Sequence, residues 1–177
     1  YNFLLVIACS LLTFMDKPLA KMLFAKDFYS AWKYAPFLMI STVFSGMAAF
    51  LGGILSALKK SSLFAKSSVI TAVVNTILNI VLVIFIGPLG AAISTAFAYF
   101  LMWLIRLKQV KQCIDLRVSF IRDSIAYLVL VVQALALLVI SKDTVFCWYQ
   151  LVFVLIALLL YTKEMKLICM KILAKVK

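Results

Sequence analysis

The apolar residues of the chain fall into six runs that are separated by short polar connectors. The second run, residues 34–58, is long enough to span a membrane with some tilt, whereas the first, residues 1–15, is shorter than the about 20 residues that the hydrocarbon core requires. The other runs cover 67–86, 89–105, 124–140 and 145–161. No strand-like alternation is present, so backbone groups in lipid must be satisfied within helices. The pattern predicts an all-α, polytopic membrane helix bundle of about six transmembrane segments, the first one truncated.

The composition supports lipid as the solvent of this chain. Hydrophobic residues make up 67% and charged residues 14%, with a mean hydropathy of +1.17, whereas soluble domains have about 45–50% and about 25%. The net charge of +12 does not indicate nucleic-acid binding, because the basic residues lie between apolar runs and at the chain end. The chain has no histidine, and its four cysteines form no CxxC pair. We therefore expect no enzyme activity, no metal site and no cofactor.

The distribution of basic residues predicts the orientation. Thirteen of the 18 Lys and Arg residues lie in 59–66, 106–122 and 163–177, which fall on one side of the predicted helices. The positive-inside rule places that side in the cytoplasm. The sequence thus predicts a multi-pass protein of an inner or plasma membrane, with a cytoplasmic C-terminus and a first helix that runs outward.

Two basic connectors also show helical amphipathicity. In 106–123, apolar residues recur at helical spacing with Arg106 and other basic residues set against them, and 162–177 is similar. We interpret both as anchors on anionic lipid, with a dedicated lipid or partner site as the alternative. The chain starts inside an apolar run at Tyr1 with no basic segment before it, so we interpret it as part of a longer protein.

Small residues follow one face of the second segment. Ser41, Ser45, Ala49, Gly53 and Ala57 recur at every fourth position. Because small residues let helices approach closely in lipid, this stripe predicts helix packing, and bending at its glycines is the alternative.

Polar residues follow one face of the third segment in the same way. Ser67, Thr71, Asn75 and Asn79 are spaced by four residues. Asparagine is unfavourable in hydrocarbon, so we expect either hydrogen bonds to a neighbouring helix or a cavity for a hydroxyl-rich substrate, lined by Thr71, Asn75 and Asn79. Gln133 is expected to serve packing. No charged residue is predicted mid-helix, so the intramembrane carboxylate that ion coupling usually needs is missing here.

The stretch NTILNIVLVIFIGPLGAAISTAFAYF, residues 75–100, resembles the signature of polysaccharide flippases of the Wzx type, in the MATE-like multidrug/oligosaccharidyl-lipid/polysaccharide exporter superfamily. Gly90 opens the Gly-Ala-Ala-Ile-x-Thr element, in which Ser94 is the variable position, and we assign both residues to helix packing. The resemblance covers about 15–105. Ala25 replaces the usual glycine, and Gly87-Pro88 replaces a Pro-x-Tyr-Gly run, which leaves the subfamily open.

The resemblance implies two six-helix lobes that alternate access to a central cavity. Residues 1–105 would be the last helices of the second lobe, 106–123 a cytoplasmic connector, 124–161 a terminal helix pair and 162–177 a cytoplasmic tail. The implied substrate is an undecaprenyl-pyrophosphate-linked glycan, and membrane lipid and polysaccharide-assembly proteins are the implied partners. The alternatives are a drug or cation exporter of the same superfamily, a glycan-modifying enzyme and a non-transporting scaffold.

Overall fold

The computed structural model describes residues 1–23, 31–116, 119–139, 143–162, 164–166 and 170. Within these residues the regular structure is helical, which confirms the all-α fold. The α-helices are α1 (Asn2–Phe14), α2 (Asp16–Leu23), α3 (Ala35–Ala57), α4 (Ser61–Ile86), α5 (Pro88–Lys111), α6 (Phe120–Val139) and α7 (Asp143–Leu160).

Four helices of the described chain, α3 to α6, are long and apolar enough to cross a membrane. A fifth crossing results if α1 and α2, which are separated by a break at Met15, form one broken span. In α7, the described apolar part Trp148–Leu160 is shorter. Because surfaces this apolar are stable only in lipid, the protein is membrane-embedded.

Two helices extend beyond the apolar runs that predicted them. α4 begins at Ser61 rather than at residue 67, and α5 continues to Lys111 rather than ending at residue 105. The added turns are rich in Ser and Lys, and such residues sustain helix once the apolar part has nucleated it. The apolar run therefore marks the lipid-embedded part of each helix and not its full length.

The helices form two compact units. The hairpin unit comprises the described residues of Met15–Val118, and the split unit those of Tyr1–Phe14 and Ser119–Lys177, from the two ends of the chain. The sequence grouped α1 with the following helices as 1–105, but α1 packs against α6 and α7 instead. Polar side chains that pair across these three helices account for the difference, and the apolar pattern does not reveal them.

The hairpin unit is built on the tight turn between α4 and α5. Gly87 adopts a positive φ of 63°, which suits glycine, and Pro88 follows at the first position of α5. A Cβ atom at Gly90 would collide with the Leu82 carbonyl of α4. This close approach is the geometry that the predicted packing role of Gly90 requires. The buried Ser94 donates its hydroxyl to the Ala91 carbonyl of its own helix.

The face that α3 buries is one residue away from the predicted stripe. Ala49 and Gly53 are exposed, Ser45 is half-buried, and nothing lies within 4 Å of a Cβ atom built at Gly53. The buried positions are instead Ser41, Phe44, Ala48, Leu51, Gly52 and Leu55. The assignment of Ala49 and Gly53 to packing within this chain was therefore wrong, and that of Ser45 stays a prediction. The large side chains Phe44 and Leu51 lie on the buried face, where helices in lipid associate through close packing of their side chains.

The segment 106–123 is not a separate amphipathic helix. Residues 106–111 complete α5, where Leu107 and Val110 are buried in the hairpin unit, and a turn follows from Gln112. Arg106 was placed on the polar side of that predicted helix, but it points into the core. Helical spacing already indicates this, because Trp103, Arg106 and Val110 share one face of a continuous helix.

Candidate functional site

The strongest polar feature of the hairpin unit is the buried side chain of Arg106, which is 4% exposed. Its Nε donates to Ser67 Oγ at 3.0 Å, and its two terminal nitrogens donate to the Ala48 carbonyl at 2.8 Å and to Ser68 Oγ at 2.9 Å. The guanidinium also lies 4.3 Å from the centroid of the Phe64 ring. One side chain thereby ties α5 to both α3 and α4.

The partners of Arg106 are all neutral. Among the described residues, no carboxylate forms an ion pair with Arg106, whereas Arg122 pairs with Asp123 and Glu164. Taking a charge out of water is unfavourable even when it is hydrogen-bonded, so a buried charge with neutral partners marks a candidate site. The sequence placed Arg106 after the end of a transmembrane helix, but it lies within α5, five residues before the end of that helix and not in its middle.

Gly52 provides the space for this cluster. A Cβ atom at Gly52 would lie 2.7 Å from Phe64 Cε2 and 2.8 Å from an Arg106 terminal nitrogen. A side chain at this position would therefore have to displace the ring and the guanidinium from where they lie. Phe64 itself is 37% exposed and forms the outer cover of the cluster.

The three predicted cavity residues of α4 separate into two groups. Thr71 is buried and donates its hydroxyl to the Ser67 carbonyl of its own helix, so it does not line an open cavity within this chain. Asn75 and Asn79 are half-buried. Asn75 Oδ1 is buried and has no hydrogen-bond partner in the described part of the chain. The expected bond from Asn75 to a neighbouring helix is thus not made by this acceptor.

The split unit contains a buried amide cluster that joins its three helices. Ser10 of α1 donates to Gln133 Oε1 at 2.9 Å, and Gln133 Nε2 donates to the Ser10 carbonyl at 3.0 Å and to Gln150 Oε1 at 2.8 Å. Gln150 Nε2 donates back to the Gln133 carbonyl at 3.3 Å. All three side chains are fully buried. The expected packing role of Gln133 agrees with this arrangement.

A second polar cluster lies where α1 begins, α6 begins and α7 ends. Tyr127 donates to Asn2 Oδ1, Asn2 Nδ2 donates to the Tyr161 hydroxyl, and Tyr161 donates to Asp123 Oδ1 at 3.1 Å. Arg122 forms ion pairs with Asp123 and Glu164. Asp123 is buried, but it lies in the first turn of α6 and is neutralised by its neighbour, so it is not an isolated mid-membrane acid.

Sequence reasoning missed most members of these clusters. Single polar residues in apolar runs, such as Ser10 and Gln150, are the available signal, because a buried amide in lipid requires a partner. The register that brings Gln133 to both of them depends on the packing of distant helices. Within the described residues, no group of His, Cys, Asp and Glu is arranged to hold a metal ion.

Comparison with protein-family models, with curated proteins and with solved structures finds no match for this chain. The class that the fold defines is an all-α membrane-embedded protein.

Proposed function

We propose that the chain is part of a membrane transporter that flips or exports a lipid-linked oligosaccharide for cell-surface polysaccharide synthesis by alternating access. The observation that carries this proposal is Asn75 on α4. Its buried Oδ1 has no partner in the described chain, and Asn79 lies one turn further on the same face. An amide with free hydrogen-bonding capacity in a membrane helix suits the hydroxyl groups of a glycan.

The shape of the hairpin unit supports the role of a wall beside such a cavity. Only Ser67 and Thr71 of α4 are buried, so most of this helix is uncovered by the rest of the unit. On its other side, α4 packs against α5, through the close approach of Gly90 to Leu82 and the hydrogen bonds from Arg106 to Ser67 and Ser68. The stretch that resembles the flippase signature, residues 75–100, comprises the end of α4, the turn at Gly87 and the start of α5.

The orientation that we propose has the C-terminus in the cytoplasm of a bacterial cell. In the split unit, the contacts of Asn2, Asp123 and Tyr161 bring together the start of α1, the start of α6 and the end of α7. The basic residues independently assign these three ends to the cytoplasmic side. The agreement of two unrelated criteria supports the proposed topology.

Cysteine labelling in membrane vesicles tests whether α4 faces a cavity. In a background with the four native cysteines replaced by alanine, we expect a water-soluble maleimide to label Asn75→Cys and Asn79→Cys, because thiolates form only where water reaches. Ile77→Cys and Ile84→Cys are matched controls on exposed apolar positions of the same helix and should remain unlabelled. Equal labelling at all four positions, or none at the asparagine positions, would contradict the cavity.

A cellular assay tests the activity itself. Disruption of the gene in its own cell should abolish surface glycan and accumulate lipid-linked oligosaccharide in the inner leaflet. Restoration by the wild-type gene and by Thr76→Val, but not by Asn75→Ala together with Asn79→Ala, would support the proposed site. Unchanged surface glycan after disruption would exclude the proposed substrate class.

A further inference from the structure

Arg106 has hydrogen-bonding capacity that the described chain does not use. A guanidinium carries five N–H donors. Three of them bind Ser67, Ala48 and Ser68, which leaves one N–H on each terminal nitrogen. Donors that remain on two nitrogens of one guanidinium can bind the oxygens of a phosphate or carboxylate group.

The electrostatics of the site also favour an anion. The serine hydroxyls and the carbonyl around Arg106 orient the guanidinium but do not neutralise it. Arg122 in the split unit differs, because Asp123 and Glu164 compensate its charge. Of the two arginines, Arg106 is therefore the one whose burial an external anion would compensate.

The position of Arg106 along the helices indicates where this anion comes from. Arg106 lies five residues from the end of α5, and Ser67 lies six residues after the start of α4. At a helical rise of 1.5 Å per residue, both lie about 8–9 Å from these helix ends. The same ends carry the exposed residues Lys59, Lys60, Lys66 and Lys108. This depth and this charge match the headgroup layer of a bilayer, where basic sites between helices bind anionic lipid.

We propose that Arg106 binds the phosphate of an anionic phospholipid at this end of the hairpin unit. The ring of Phe64 covers the guanidinium from outside, and because it is partly exposed in the second turn of α4, it moves aside when the headgroup enters. Ser67 and Ser68 hold the guanidinium in place, and the surrounding lysines attract the lipid. This site does not depend on the transport function proposed above.

Lipid retention by the 177-residue chain tests the proposal. The protein is placed in nanodiscs with equal amounts of phosphatidylglycerol and phosphatidylcholine, and the lipids that stay bound are counted by native mass spectrometry. We expect enrichment of phosphatidylglycerol on the wild type and an about tenfold loss of that enrichment in Arg106→Gln, the effect of one charge-assisted contact. Arg122→Gln is the matched control and should keep the enrichment. No enrichment on the wild type, or full enrichment on Arg106→Gln, would overturn the proposal.

Two further measurements separate lipid binding from a role in folding. If Arg106→Gln does not remain monodisperse, Ser67→Ala together with Ser68→Ala removes the two hydroxyls that orient the guanidinium but keeps its charge, and enrichment should fall in a folded protein; unchanged enrichment would overturn the proposal. Phe64→Ala should raise the enrichment, because the cover is gone, and a decrease would also count against the site. Inorganic phosphate that stabilises the protein in phosphatidylcholine discs as much as phosphatidylglycerol does would exclude the lipid as the source.

Discussion

The hairpin unit and the split unit bury polar side chains in different ways. In the split unit, Gln133 donates to the Gln150 side chain and to the Ser10 carbonyl, and Gln150 donates to the Gln133 carbonyl. The buried amides of one helix therefore find hydrogen-bond partners on the neighbouring helices. In the hairpin unit, Arg106 is surrounded by neutral oxygen atoms that belong to two other helices, and its charge is not compensated. The amides make their hydrogen bonds to one another within the chain, whereas Arg106 keeps N–H donors and a positive charge that a ligand can bind.

The two units also differ in how their helices come together. Phe44, Phe100 and Trp103 form an aromatic cluster between α3 and α5. Elsewhere in the unit, Gly52 and Gly90 permit close approach to Phe64 and Leu82. Hydrocarbon provides no hydrophobic driving force for association, so the hairpin unit depends on fit, and the split unit depends on directed hydrogen bonds. Substitutions should therefore act through overpacking in one unit and through unsatisfied polar groups in the other.

Gly52→Leu should have the largest effect, because it fills the space that Phe64 and Arg106 occupy. We expect it to lower the free energy of unfolding by about 3 kcal/mol, the upper range for overpacking. Gly53→Leu is the matched control on the adjacent residue and should change it by less than about 0.5 kcal/mol, since its Cβ meets open space. SDS titration of the purified protein, followed by Trp fluorescence in a Trp148→Phe background, reports on Trp32 and Trp103 of the hairpin unit. Equal effects of the two leucines would show that fit at Gly52 does not hold this unit together.

Gln133→Leu should have an intermediate effect in the split unit. It leaves Ser10 and Gln150 without their buried partner, and we expect a loss of about 2 kcal/mol. The triple variant with Ser10→Ala, Gln133→Leu and Gln150→Leu removes all the unpaired groups and should recover most of that loss. The alkylation rate of the buried Cys9, with the other three cysteines replaced, measures opening of this unit. If the triple variant is less stable than Gln133→Leu, the amides stabilise the split unit by more than avoiding unpaired polar groups.

The difference between the units also explains which parts of the structure were predictable. Six of the seven α-helices in the described residues followed from apolar runs, because lipid requires helical backbone pairing, whereas α2 and the full lengths of α4 and α5 did not. Gly90 was assigned to packing from the resemblance. The buried face of α3 could not be predicted from the sequence, because two stripes one residue apart both contain small residues. Only the packing of Phe44 and Leu51 distinguishes these stripes. Arg106 was assigned to a separate amphipathic connector because the end of the apolar run was taken as the end of the transmembrane helix. The pairing of α1 with α6 and α7 depends on contacts over more than 100 positions, which no local pattern encodes.

Lys59 allows the smallest and most local test, at the turn between α3 and α4. It has a positive φ of 56°, and its N–H donates to the Ser56 carbonyl while the Lys60 N–H donates to the Leu55 carbonyl. Glycine is the usual residue at this position after a helix, because it adopts the left-handed conformation without strain. Lys59→Ala and Lys59→Gly both remove the charge, but only glycine relieves the strain, so we expect the glycine variant to be more stable by about 1 kcal/mol. Equal stability in SDS titration would show that the turn is not strained. If the Lys59→Gly variant is more stable, the native lysine adopts a strained conformation at this turn. That is the result expected if positive charge at this end of the hairpin unit serves lipid binding.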